Sequence, residues 1–342
     1  MIRKKYIVLL LVFITGLLAC NKDAAEYFAG FQQPSDFPDP VYHFSTNPVT
    51  SAGFELGRKL FYDPLLSANN TISCGSCHIQ TSAFTHHGHS VSHGIFDRLG
   101  TRNSPPIMNL AWNKSFMWDG GIFDLDLQPV APITNHVEMD DSVENVLGRL
   151  RNSSVYPGLF TKAFGTEEIN SARFLKALSQ FMVMCVSSNS KYDSVMRNQS
   201  SFTTAEQEGY MLFKEECSDC HKEPLFTDQS FRNNGLRISM VNDEGRYAVT
   251  LNAADKYTFK VPSLRNLDYT PPYMHDGRLL TIEGVLDHYS DDVQQTPNLD
   301  PLLQKNGIKG IVLTADQKLK IIAFLKTLND RTFVTDKRFA EQ

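Results

Sequence analysis

Cys74-Gly75-Ser76-Cys77-His78 and Cys217-Ser218-Asp219-Cys220-His221 share one pattern, C-x-x-C-H. That spacing is the attachment signature of c-type haem: two thiols add to the vinyl groups, and the adjacent imidazole becomes the proximal iron ligand. A zinc site built from the four cysteines, or two disulfides, would leave the His after each second Cys without a role. The chain therefore reads as holding two covalent haem c groups, one on Cys74, Cys77 and His78, the other on Cys217, Cys220 and His221.

Each motif needs elements that deliver it. A helix is expected from about Ser51 through Phe61, feeding the first motif. Thr204-x-x-Gln207 reads as a capping box that opens a second helix through Phe213, feeding the other motif. Phe174, Leu178, Phe181, Met182 and Cys185 share one face of a helix over Ser171–Val186, so Cys185 is expected to be a buried structural thiol. Thr314-x-x-Gln317 caps a last helix within Leu313–Leu328. The strand candidates are Tyr247–Leu251 and Tyr257–Val261. The expected fold is mainly α: two tandem cytochrome c-type haem domains with long irregular loops. The expected bounds are 51–195 and 196–342, with a Ser-, Asn- and Gln-rich linker near 187–203. Arg102-Asn103 followed by Phe116-Met117-Trp118-Asp119-Gly120, and Arg265-Asn266 followed by Tyr273-Met274-His275-Asp276-Gly277, suggest that one domain was duplicated.

The N-terminus carries Arg3, Lys4 and Lys5, then the apolar run Ile7–Ile14, then Leu17-Leu18-Ala19-Cys20. This has the charged start and short core of a signal peptide over 1–19, too short for a membrane span. Its end resembles a bacterial lipobox, which implies cleavage before Cys20, a lipid on the Cys20 sulfur and a tether over 20–50. The expected location is periplasmic, lipid-anchored to a bacterial membrane. The mature chain of roughly 320 residues is long enough for two domains. A net charge of −5 without a basic tract argues against nucleic acid as a partner.

The motif order resembles the bacterial di-haem cytochrome c peroxidase and MauG family over nearly the whole mature chain. The markers are Leu60-Phe61-Tyr62-Asp63, Arg102-Asn103-Ser104-Pro105, Phe116 to Gly120, Pro132 to Met139, Pro262 to Asn266 and Pro272 to Gly277. The resemblance implies that the N-terminal haem meets peroxide, with Glu138 as distal acid–base group and Gln128 as a distal amide. His93, within a loop that also holds His86, His87 and His89, matches a distal ligand of the resting state. The C-terminal haem would pass electrons, and Trp118 would sit between the two haems. Tyr289 stands where typical peroxidases place a ligating Met, as in MauG; His288 and Met274 are the other candidates for that position. His275 matches a structural residue of the second haem site. Asn103, Thr270 and Pro272 match ligands of a calcium ion. The implied activity is cytochrome-c peroxidase: reduction of hydrogen peroxide with electrons from a small cytochrome c or cupredoxin. A MauG-like oxidase acting on a protein or organic substrate is one alternative, and a non-catalytic electron carrier another. Homodimers are common in the family.

Overall fold

Helix α1, Ser51–Tyr62, begins where the Thr50 hydroxyl accepts the Gly53 N–H at 3.0 Å, a side-chain cap for an otherwise orphan donor. Phe54, Leu56, Leu60 and Phe61 form its buried face. The computed structural model describes residues 28–342; the expected signal peptide and the lipid-bearing Cys20 lie outside them. A compact unit spans Gln33–Gln342 and holds all the elements named. After α1 come α2 (Val143–Arg151), α3 (Tyr156–Phe164) and α4 (Ser171–Met184). A Cβ on Gly57 of α1 would lie 1.9 Å from the Ala177 carbonyl oxygen of α4 and 3.0 Å from Phe181 Cβ. Only glycine lets the two helices meet that closely. Cys185 caps the end of α4 and is completely buried, as expected.

The second half repeats this packing. Its helices are α5 (Lys191–Met196), α6 (Thr204–Glu216), α7 (Ile282–Asp287) and α8 (Ala315–Lys326). A Cβ on Gly209 of α6 would lie 1.9 Å from the Lys320 carbonyl oxygen of α8 and 3.1 Å from Phe324 Cβ. The same clash is avoided by the same residue type in both halves. Tyr192, Phe213, Phe226, Phe324 and Leu328 fill the core around this pair. The α8 capping box is the expected one, Thr314 with Gln317. That of α6 is shifted by one residue: Thr203 N–H donates to Glu206 at 2.7 Å. Lys191 Nζ holds the same Glu206 carboxylate at 2.5 and 2.8 Å, which selects this box over the one with Gln207.

The loops carry the repeat in detail. Asn109 (φ 55) and Asn266 (φ 64) each open a short 3-10 turn in left-handed backbone. Met117 and Met274 take φ 68 and 74, and Gly120 and Gly277 both take φ 66. Bridges Phe116–Ile122 and Tyr273–Leu279 close equivalent loops. The structural counterpart of Asn266 is thus Asn109 rather than Asn103. Asn109 Oδ1 accepts the Ser187 N–H just after α4, at 2.9 Å. Asn266 Oδ1 accepts the Asp330 N–H just after α8, at 2.7 Å.

Two further segments differ from expectation. Residues from Ser187 to Asp193, the first part of the expected linker, are packed into the protein. Ser187, Ser190 and Asp193 are buried, and the Ser188 and Asn189 N–H groups donate to Asp330 at 3.0 and 2.9 Å. Small side chains here let the backbone reach a buried carboxylate. Asp193 in turn receives two bonds from Arg265, at 2.9 and 2.7 Å, with both side chains fully buried. Tyr247–Thr250 forms a helical turn ended by Leu251 at φ 56, not a strand. Phe259–Lys260 (β2) pairs instead with Phe231–Arg232 (β1), antiparallel. Finally, the C-terminal segment crosses to the first half. After helix α9 (Arg331–Thr335), the Phe339 ring packs on Phe54, Phe84 and Phe181, and its carbonyl accepts Tyr62 Oη–H at 2.7 Å.

Candidate active site

One cavity of about 830 Å³ gathers Cys74, Cys77, His78, Asn103, Trp118, Gln128 and Glu138. The first motif reaches it on a single helical turn, Cys74–Cys77, capped by Ser73 and Ser76. His78 Nδ1 lies 2.7 Å from the Phe84 carbonyl oxygen. A carbonyl only accepts, so Nδ1 carries the proton and Nε2 keeps a free lone pair. Burial lowers the His78 pKa and keeps the ring neutral. The second motif uses the same device. His221 Nδ1 lies 3.1 Å from the Phe226 carbonyl oxygen, and burial lowers its pKa. Both Phe residues are fully buried at positive φ, 61 and 55. Burial also pushes the thiols of Cys74 and Cys77 up to about 12 and 11, and those of Cys217 and Cys220 likewise. The carbonyl behind each His fixes the tautomer whose other nitrogen can hold iron. The residues present fit one haem c at each motif.

Glu138 is half-buried in the cavity wall, and burial raises its pKa. Asn135 Nδ2 donates to Glu138 Oε1 at 2.8 Å, a weaker opposing effect that fixes one oxygen and leaves the other for the cavity. The backbone supports it from outside: Ile95 N–H donates to the Glu138 carbonyl at 2.8 Å. A Cβ on Gly94 would lie 2.1 Å from the Val137 carbonyl oxygen, so glycine permits that approach. Gln128 Nε2 reaches Met117 Sδ at 3.8 Å.

Comparisons with known proteins show the family. Residues 51–201 match the family model described as di-haem cytochrome c peroxidase. The methylamine utilization protein MauG of Methylorubrum extorquens is 35% identical over 91% of this chain and 86% of its own. Cytochrome c551 peroxidase of Nitrosomonas europaea is 32% identical over 92% of this chain and 90% of its own. The chain belongs to the di-haem cytochrome c peroxidase family. A crystal structure of a MauG-like protein associated with microbial copper homeostasis superposes with a TM-score of 0.82 at 33% identity, covering 91% of this chain and 98% of that one. This member of the family is thus an oxidoreductase of the peroxidase class, mainly α, with two haem c groups. Among the described residues no helix is long and apolar enough to cross a membrane.

The remaining candidate residues fall into three places. Trp118 Nε1 donates to the Asn103 carbonyl at 2.8 Å, and the Trp118 carbonyl accepts the Lys260 N–H at 2.8 Å. Phe259, next to Lys260, stacks on His275 with ring centres 3.8 Å apart. A continuous path of residues therefore joins Trp118 in the first cavity to His275. Asn103 Nδ2 donates to the carbonyls of His89 and Ser90 at 3.3 and 3.2 Å, leaving its Oδ1 free of that task. Its N–H donates to the His275 carbonyl at 2.7 Å, beside the turn that carries Thr270 and the cis-peptide Pro272.

His93 is not brought to the cavity wall, although Ser92 and Gly94 line it. Its Nε2 lies 3.1 Å from His89 Nδ1, and His89 stacks on His86 at 4.1 Å. Tyr289 lies near Cys217 and Cys220, and burial pushes its phenol up to about 12. Two residues escaped the sequence reading. Arg102 bridges Asp119 at 2.5 Å and Asp243 at 2.6 and 2.8 Å. Lys260, in the cavity wall, donates from Nζ to the Ser115 carbonyl at 2.7 Å, and burial lowers its pKa to about 8. Arg102 sits inside a quoted motif, but its partner Asp243 is far away in sequence. Nothing in the sequence marked Lys260.

Proposed function

We propose that this protein reduces hydrogen peroxide to water at the N-terminal site. The observation that carries this is Glu138, a carboxyl of raised pKa in the same cavity wall as Cys74, Cys77, His78 and Gln128. A haem held by Cys74, Cys77 and His78 would supply the redox chemistry and the Lewis acidity that peroxide reduction needs. Gln128 offers an amide to hydrogen-bond the peroxide. Glu138 would take a proton from one peroxide oxygen and return it to the other, which makes that oxygen a better leaving group. The overall balance is one peroxide, two electrons and two protons to two waters. The electrons come singly from a small cytochrome c or cupredoxin at the C-terminal haem and pass by way of Trp118. His221 and Tyr289 would hold the iron of that haem, with His275 as a structural support. Asn103 Oδ1 and the Thr270 and Pro272 carbonyls form an oxygen set suited to calcium. His93 serves as a resting-state ligand only after leaving its contact with His89. We further assign the two haem domains near the expected bounds, with periplasmic anchoring through Cys20 and association as a homodimer.

Tyr289 favours a second function, a MauG-like oxidase that uses peroxide to oxidise a protein or organic substrate. One experiment separates the two. The haem-loaded protein is mixed with peroxide and a reduced small cytochrome c. Oxidation of two cytochromes per peroxide is the expected result. A long-lived spectral change without cytochrome oxidation would favour the oxidase, and no reaction would leave an electron carrier.

A further inference from the structure

Three side chains near the second haem motif offer themselves as its distal ligand: Tyr289, Met274 and His288. All three meet at one residue. Asn234 Nδ2 lies 3.4 Å from Met274 Sδ, and the Asn234 side chain lies close enough to the buried Tyr289 phenol to act on it. The backbone carbonyl of Asn234 lies 3.1 Å from His288 Nε2. Asn234 Oδ1 is occupied by the Leu236 N–H at 3.3 Å, which orients the amide so that its nitrogen faces the ligands. We infer that Asn234 is a positioning residue that selects Tyr289 as the axial ligand of the second haem over Met274 and His288.

The chemistry follows from which lone pairs are taken. An amide nitrogen has two N–H donors. One points at the Met274 sulfur and engages the lone pair that iron would need. His288 is buried, and the carbonyl it faces makes Nε2 the proton-bearing nitrogen. Its other nitrogen, Nδ1, is buried with no partner, but Nδ1 lies beside Cβ, where the ring is least able to reach outward. The Tyr289 oxygen, by contrast, keeps lone pairs even beside the Asn234 amide. Met274 is held by its backbone too: it sits at φ 74 in the loop closed by the Tyr273–Leu279 bridge. Asn234 thus restrains two competitors while steadying the third.

This inference rests on Tyr289 being the ligand, so the test begins there. Tyr289→Phe in the haem-loaded protein should abolish the tyrosinate-to-iron signature in resonance Raman and electronic spectra of the second haem. An unchanged spectrum would overturn both the ligand assignment and the role of Asn234. If Tyr289→Phe behaves as expected, Asn234→Leu is measured next. It keeps the shape and removes every donor. The expected result is loss or mixing of the tyrosinate signature and at least a tenfold shift of the second haem's ferric/ferrous equilibrium toward ferrous, 59 mV for one electron, because a sulfur ligand favours the reduced iron. The first haem's spectrum in the same sample reports folding. Asn234→Asp, which also lacks N–H donors, should reproduce the shift if the Leu variant loads haem poorly, and Asn234→Gln should restore it in part. A pure tyrosinate spectrum and an unmoved potential in both Leu and Asp variants would overturn the inference while leaving Tyr289 as ligand.

Discussion

At the scale of single residues, environment decides what a side chain does. Glu138 and Glu206 are both glutamates. Glu206 faces Lys191 and the Thr203 N–H, which override the cost of burial and hold it below the usual carboxylate range. Among the described residues no cation is set against Glu138, so burial prevails and its pKa rises. The sign has a consequence for stability. A raised native pKa means that the folded protein binds more protons than the unfolded chain between the ordinary carboxylate pKa, 4.5, and the raised one. Stability therefore falls as pH rises through that window. Glu138→Gln should remove that fall, which denaturant midpoints of the haem-loaded proteins against pH would reveal. Parallel profiles for the two proteins would mean that the carboxyl is not desolvated. Of the residues that line this cavity, Glu138 and Trp118 stand in recognisable motifs, and Gln128 was singled out only by its position ten residues before Glu138. Asn135 stands in such a motif too, but its bond to Glu138 became visible only in three dimensions. Lys260 was not legible, because its significance comes from a wall built by distant segments.

At the scale of elements, the two helix pairs rest on Gly57 and Gly209. In an exposed helix, Gly→Ala is stabilising by about 1 kcal/mol. Here an added Cβ would strike a carbonyl oxygen at 1.9 Å in both cases. Gly57→Ala and Gly209→Ala should therefore reverse that sign and destabilise by roughly 1–3 kcal/mol each, the usual cost of overpacking. Equilibrium denaturation measures this directly, and stabilisation by either variant would contradict the packing described. The helices themselves were largely legible, since apolar periodicity and capping residues are local signals. Thr314 with Gln317 was read correctly; Thr203 with Glu206 was missed by one residue because Lys191, the group that decides between two valid boxes, binds from another helix. Tyr247–Leu251 looked like a strand from its residue types. With Leu251 76% exposed, there is no apolar face to bury, and the segment closes into a turn.

At the scale of the whole molecule, the chain shows one architecture written twice and then joined. Helix pairs, left-handed Asn residues, Met-bearing loops and Phe carbonyls on the proximal His recur in both halves. Sequence alone paired Asn266 with Asn103, because the Arg-Asn dipeptide is conspicuous; backbone conformation pairs it with Asn109. The junctions were the least legible part. Ser187 to Asp193 looked like a linker by composition, yet Asp330 and Arg265 bury it through bonds between residues far apart in the chain. The return of Phe339 to the first half has the same character. The run from Trp118 through Lys260 and Phe259 to His275 likewise joins segments far apart in the chain.

The central claim is that Glu138 drives peroxide reduction in the first cavity, and the direct measurement is steady-state peroxide turnover with a reduced small cytochrome c, comparing the haem-loaded protein with Glu138→Gln. Turnover should fall by about 10²–10⁴-fold, the range expected for a lost acid–base group, while both haem spectra stay as they were. Turnover within a few-fold of the parent protein would contradict the assignment.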